Sequence, residues 1–228
     1  MIGERLRNKE PQNGGLVRLA DRAATEIREM IITDRLSPWE LLSEVKLAKQ
    51  LDISRTPIRE AITQLEQEGL LRVVPGRGAF VVDLTNEDFR EINTLRVVLE
   101  PLAAESAVRV IPDEAIEEQK GTWSRVAEDL AEHRPFSVDN LTDADDRLHW
   151  LFIDHCDNGR LRNFLSILRC QIARYVYISW NTRAYMEETV SQHLDVILAL
   201  ERRDIAELRI ALERHITFND KVFACRAR

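Results

Sequence analysis

The sequence has no apolar run near the roughly 18 residues that a membrane-spanning helix needs. Its first fifteen residues, MIGERLRNKEPQNGG, also lack the apolar stretch of a secretion signal and read as a flexible polar tail. A cytoplasmic protein with no membrane partner is the expectation. Glycine and proline are scarce, 8 and 7 in 228 residues, which argues against a loop-rich or all-β design. The three cysteines, Cys156, Cys170 and Cys225, are odd in number and lack metal-finger spacing, so they read as buried or free thiols in a reducing compartment. An excess of positive charge is missing too: 32 Lys+Arg stand against 39 Asp+Glu, a net charge of −7. Residues 1–84 hold 13 of each sign and residues 85–228 hold 19 against 26, so the balance is 0 and −7. Any contact with nucleic acid must therefore come from a focused group in the first part, where Arg55, Arg59, Arg72 and Arg77 cluster.

Leucine, alanine, glutamate and arginine dominate instead, and 44% hydrophobic residues suffice for proper cores. A first amphipathic helix is marked by Leu19, Ala23, Ile27, Met30 and Ile31. After a break containing Pro38, Leu47–Gly69 reads as two short helices joined by a tight turn. Leu47, Ala48 and Leu51 face inward on the first, and Ile58, Ile62 and Leu65 on the second. Asp52-Ile53-Ser54 separates them, with Ser54 as N-cap, Pro57 in the first turn and Gly69 as the C-terminal stop. Arg55, Thr56 and Arg59 then stand at the start of the second helix, where a helix-turn-helix presents polar donors to a major groove. Two apolar runs, Leu70–Val74 and Ala79–Val82, flank Pro75-Gly76-Arg77-Gly78 and predict a β-hairpin. Together these make a winged helix-turn-helix over residues 16–84.

From Thr85 onward the pattern is helical throughout. Six segments are expected: Asn86–Val110, Asp113–Glu132, Asp139–Cys156, Arg160–Ser179, Tyr185–Arg203 and Ile205–Phe223, with a break at Asn181-Thr182. They make an all-α six-helix bundle over residues 85–228. Asp145 and His149, four apart, share one face of a helix, and His193 and His215 lie near the middle of the last two. Such a set can build a metal site inside a bundle, although isolated helical histidines more often serve packing. Three imidazoles and one carboxylate suit a borderline divalent ion, and ligand type alone does not select between Zn²⁺, Ni²⁺ and Mn²⁺; Zn²⁺ is the expectation. His133 and His155 are poorer candidates. A metal-dependent hydrolase is the rival from another class, but no adjacent general base has motif support.

The run LSEVKLAKQLDISRTPIREAITQLEQEGLLRVVPGRGAFVV resembles the DNA-binding domain of the GntR transcription factors, and the helical remainder resembles the FCD-type ligand-binding domain of their FadR subfamily. It departs in LSPWELLSE, where Trp39 takes a position usually held by glycine. The resemblance implies a ligand-responsive, homodimeric regulator that is expected to repress. It implies that Arg55 and Arg59 meet bases and phosphates of an operator duplex, that Ser54 and Thr56 bond phosphate, and that Gly76, Arg77 and Gly78 form the wing tip. It also implies Asp145, His149, His193 and His215 as metal ligands, matched in type and order, and Arg96 as the partner of a small carboxylate effector. A surface Arg96–Glu100 ion pair is the plainer reading of that arginine, and a purely structural metal is the plainer reading of the helical domain.

Overall fold

The computed structural model describes residues 14–83, 85–180 and 183–224; most of the polar N-terminal stretch, the Asn181-Thr182 break and Cys225 lie outside them. The chain divides into two compact units, Met1–Leu84 and Thr85–Arg228.

The first unit holds α1 (Gly14–Ile32), α2 (Glu44–Leu51), α3 (Arg55–Gln67), β1 (Leu71–Val74) and β2 (Gly78–Val81). Apolar spacing decides how the helices meet. Ala23, Ile27 and Ile31 of α1, Leu47 and Leu51 of α2, and Ile58, Ala61 and Leu65 of α3 are buried, and both α1 and α2 pack on α3. The Ser43 side chain caps α2 by accepting from Lys46 N, and Asp52 ends that helix in the left-handed region at φ 54°. Ser54 is the extended N-cap of α3 but makes no side-chain capping bond. Gly69, at φ 74°, turns the chain just past the end of α3. Beneath the turn, buried Arg28 grips Glu68 with two hydrogen bonds of 2.9 and 2.7 Å.

The wing is an antiparallel hairpin in the register Leu71↔Val81 through Val74↔Gly78. Its turn needs glycine: Gly76 and Gly78 sit at φ 73° and 107°. A short edge that the hairpin pattern does not announce joins it. Trp39 N and Leu42 N donate to Val81 O and Ala79 O at 2.9 and 2.8 Å, and Val81 N donates back to Glu40 O at 3.1 Å. Trp39 adopts φ 63°, the conformation a glycine would take there without strain. Its indole donates to Asp83 at 3.2 Å, which offsets part of that strain.

The second unit holds α4 (Asn86–Ala107), α5 (Asp113–Ala131), α6 (Val138–His155), α7 (Gly159–Ser179), α8 (Arg183–Glu201) and α9 (Ile205–Ala224), the six helices expected. α4 packs against α6, α7 and α9, and α5 against α6 and α8. A full capping box starts α4: Thr85 accepts from Asp88 N at 3.1 Å, and Asp88 accepts from Thr85 N at 3.0 Å. From Leu148 to Ile153 every residue of α6 is buried, as are Asp145 and Asp146 before them, so this helix carries polar residues into the core. None of the described helices is long and apolar enough to cross a membrane. Cys156 and Cys170 are buried.

Removing the capping box tests how far α4 depends on it. Thr85→Ala should cost about 1 kcal/mol in urea unfolding, while Thr85→Ser, which keeps the acceptor, should stay within about 0.5 kcal/mol of the parent.

Candidate metal centre and nucleic-acid interface

Three helices of the second unit bring the four expected ligands together. Asp145 and His149 project from one face of α6, His193 from α8 and His215 from α9, and all four are buried. One ligand atom from each lies within 4.8 Å of every other. His149 Nε2 and His215 Nε2 are 3.2 Å apart, and His193 Nε2 is 3.1 Å from Asp145 Oδ1. Trp123 stacks on His193 with ring centroids 3.8 Å apart and fixes the plane of that ring.

The surrounding residues decide which atoms are free to coordinate. Glu100 of α4 faces His149 Nδ1 at 2.5 Å, a carboxylate that orients the ring and leaves Nε2 turned toward the cluster. Arg96 donates through Nε to the other Glu100 oxygen at 2.5 Å and through Nη1 to Asn93 at 3.1 Å. Arg169 of α7 donates through Nη2 to Asp145 Oδ2 at 2.8 Å and also to Asp146. Arg169 Nε and Nη1, and Nδ1 of His193 and His215, are buried with no hydrogen-bond partner among the described residues.

The electrostatics favour metal binding. Burial opposes ionisation of Asp145, yet the charge of Arg169, together with the hydrogen bond to His193, holds its carboxyl well below the ordinary range. Burial likewise opposes ionisation of Glu100, and Arg96 and His149 overcome it. Asp146 is pushed up by burial despite Arg169. His193 is pushed down by burial, and His215 well down by burial and by its neighbours His193 and His149, so both are held in the neutral form that ligates metal. The donor set therefore fits a borderline divalent cation.

Arg96 is only 1% exposed, and its i,i+4 bond to Glu100 is a buried pair rather than a surface one. Sequence reasoning did not single out Glu100 as a partner of His149, nor Asp146 or Arg169. Glu100 and Arg169 stand on two further helices, and no sequence spacing relates them to the histidines. Of the poorer candidates, His133 and His155 turn their rings to backbone carbonyls, of Ala131 and Leu151.

In the first unit Ser54, Arg55, Thr56 and Arg59 are exposed at the start of α3, as are Gly76, Arg77 and Gly78 at the hairpin tip. The helix start offers unpaired N–H groups and two guanidinium groups, a combination suited to phosphate and to guanine edges. Arg55 and Arg59 both reach one carboxylate, that of Glu44, at 2.8 and 2.9 Å. Glu44 escaped the sequence reading because only folding α2 against α3 brings it to them.

Two family models match the chain: "Bacterial regulatory proteins, gntR family" over residues 19–81 and "FCD domain" over residues 91–218. The uncharacterized HTH-type transcriptional regulator YdhC of Bacillus subtilis (strain 168) is 32% identical over 157 residues, 66% of this chain and 68% of that protein. The HTH-type transcriptional repressor RspR of Escherichia coli (strain K12) is 26% identical over 192 residues, 83% of this chain and 82% of that one. In fold, the structure of E. coli McbR/YncC matches with a TM-score of 0.77 at 19% identity, covering 92% of this chain and 99% of that one. The curated relatives are transcriptional regulators and not enzymes, which sets aside the hydrolase alternative. The winged helix-turn-helix, the helical unit that follows it in sequence and these matches together place the chain in the gntR family of bacterial regulatory proteins, as a DNA-binding transcriptional regulator with an FCD domain.

Proposed function

We propose that this regulator is a repressor whose helical unit holds a divalent metal on Asp145, His149, His193 and His215 and takes up a small carboxylate effector beside it. The observation that carries this reading is the buried convergence of three imidazole nitrogens and one carboxylate within 4.8 Å. Zn²⁺ suits these donors best, followed by Ni²⁺ or Mn²⁺. When bound, the ion supplies a positive centre that attracts an anionic ligand group. The chain's own charges support the same ligand class. Ionised Glu100 and Asp145 are balanced by Arg96 and Arg169, and Asp146 is shifted toward its neutral form. A divalent ion adds positive charge to this buried cluster, which favours an anionic group such as a carboxylate. Arg96 and the open edges of Arg169 are the side chains suited to orient it.

Repression agrees with the E. coli relative RspR, a transcriptional repressor by name. An effector then shifts operator affinity only by binding one arrangement of the regulator better than the other. A homodimer matching a two-fold operator is supported by Leu95, Val98 and Leu102, which leave an apolar stripe exposed along α4. Within the first unit, Arg55 and Arg59 read base edges, Ser54 and Thr56 bond phosphate, and Gly76, Arg77 and Gly78 carry the wing to the minor groove.

His193→Ala should lower bound metal measured by elemental analysis and abolish the rise in thermal midpoint that metal gives the parent; equal metal content in the two proteins would sink the site. Arg59→Ala should remove sequence-selective DNA binding in a gel shift while leaving the unfolding free energy within about 0.5 kcal/mol of the parent's. A carboxylate that releases DNA from the metal-loaded parent supports the sensor, whereas no release across a panel of organic acids supports a structural metal.

The metal-free protein has a further signature. Burial pushes His193 and His215 down, so once the pH drops through about 6.5 the unfolded chain takes up protons that the folded one refuses. After chelation the midpoint should fall between about pH 7.5 and 5.5, and His215→Gln should shrink that fall; identical pH profiles would mean His215 is not held neutral.

A further inference from the structure

Arg55 and Arg59 are i,i+4 neighbours on α3, a spacing at which like charges repel. Glu44 stands between them. Its Oε2 accepts from Arg55 Nη2 at 2.8 Å, from Arg55 Nε at 3.3 Å and from Arg59 Nε at 2.9 Å. The hydrogen bond from Arg55, joined by that from Arg59, holds the Glu44 carboxyl below its ordinary range. Glu44 is itself fixed locally. It is the first residue of α2, directly after the capping Ser43, where a negative side chain is favoured by the helix dipole.

Two arginines alone would present two positive charges at the helix start, and the shared carboxylate reduces them to one. It also fixes where the two guanidinium planes lie. Attraction to phosphate depends on total charge and carries no sequence information, whereas base reading depends on orientation. One carboxylate therefore weakens the unselective part of DNA binding and organises the selective part. The pairs are exposed, so their contribution to folding is small and their consequence falls on binding.

We propose that Glu44 is a specificity-determining residue of this regulator, holding Arg55 and Arg59 on one carboxylate oxygen so that they discriminate sequence rather than bind phosphate indiscriminately. The inference rests on the reading of Arg55 and Arg59 as DNA contacts, and the experiment separates the two.

A duplex is selected from a random pool with the parent protein. Binding to it and to a random-sequence duplex of equal length is then measured over a salt series for the parent, Glu44→Gln, Glu44→Asp and Arg59→Ala. Glu44→Gln should bind the random duplex more tightly, with a salt slope steeper by about 0.9, the value for one more phosphate engaged. Its ratio of selected to random affinity should fall at least about fivefold, the low end of what one bidentate arginine–base pair discriminates. Glu44→Asp keeps the charge and the preference for the helix start but is one methylene shorter, so its ratio should fall as well, by less. An unchanged ratio in Glu44→Gln, or an effect confined to the thermal midpoint, overturns the proposal. If Arg59→Ala keeps the parent's affinity for both duplexes, the recognition-helix reading itself has failed, whatever Glu44→Gln does.

Discussion

Charge buried in an apolar bundle is the constraint on which the second unit depends. Glu100, Asp145, Arg96 and Arg169 are each at most 3% exposed, and a buried charge without a partner would be strongly destabilising. Each is met. Arg96 pairs with Glu100, Arg169 pairs with Asp145, and His149 bonds the second Glu100 oxygen. Because these partners come from α4, α6 and α7, their pairing ties three helices to one arrangement. The histidines of α8 and α9 complete the set, so a single polar cluster reaches five of the six helices of the unit.

That cluster explains why α6 departs from an ordinary amphipathic helix. Leu148, Trp150, Leu151, Phe152 and Ile153 cover most of its circumference with apolar contact, and Asp145, Asp146 and His149 occupy the rest. Replacing the polar members with leucine would satisfy packing more simply, since buried ion pairs are weak evidence for stability. The metal and effector proposed above would account for their presence. The Glu100 carboxylate at Nδ1 of His149, with Nε2 turned toward the other candidate ligands, is the arrangement the proposed metal site would use.

How much was legible in the sequence follows from the range of each signal. Helices and wing could be read because apolar spacing, Ser43, Asp52, Gly69 and the Pro75–Gly78 turn act within a few residues. The four metal-ligating candidates could be named because Asp145 and His149 share a helix turn and the resemblance supplied the order of the others. Glu100, Asp146, Arg169 and Glu44 were not, for they look like ordinary polar residues until helix packing sets them against a partner. Trp39 lies between these cases: its place in a turn was readable, but the left-handed backbone and the edge it forms with Val81 depend on the folded hairpin.

The first unit meets the opposite electrostatic demand. Equal numbers of acidic and basic residues over 1–84 give it no general attraction to DNA, so its affinity must come from a few oriented groups. A strongly basic unit would bind phosphate anywhere along a duplex and would leave a ligand-driven change in operator affinity little to act on. Near-neutrality keeps the unselective term low, and in the proposed reading the exposed arginines at the α3 start supply the selective one. In a regulator whose effector can contribute only a modest differential free energy, a low unselective background is what allows that difference to decide occupancy of the operator.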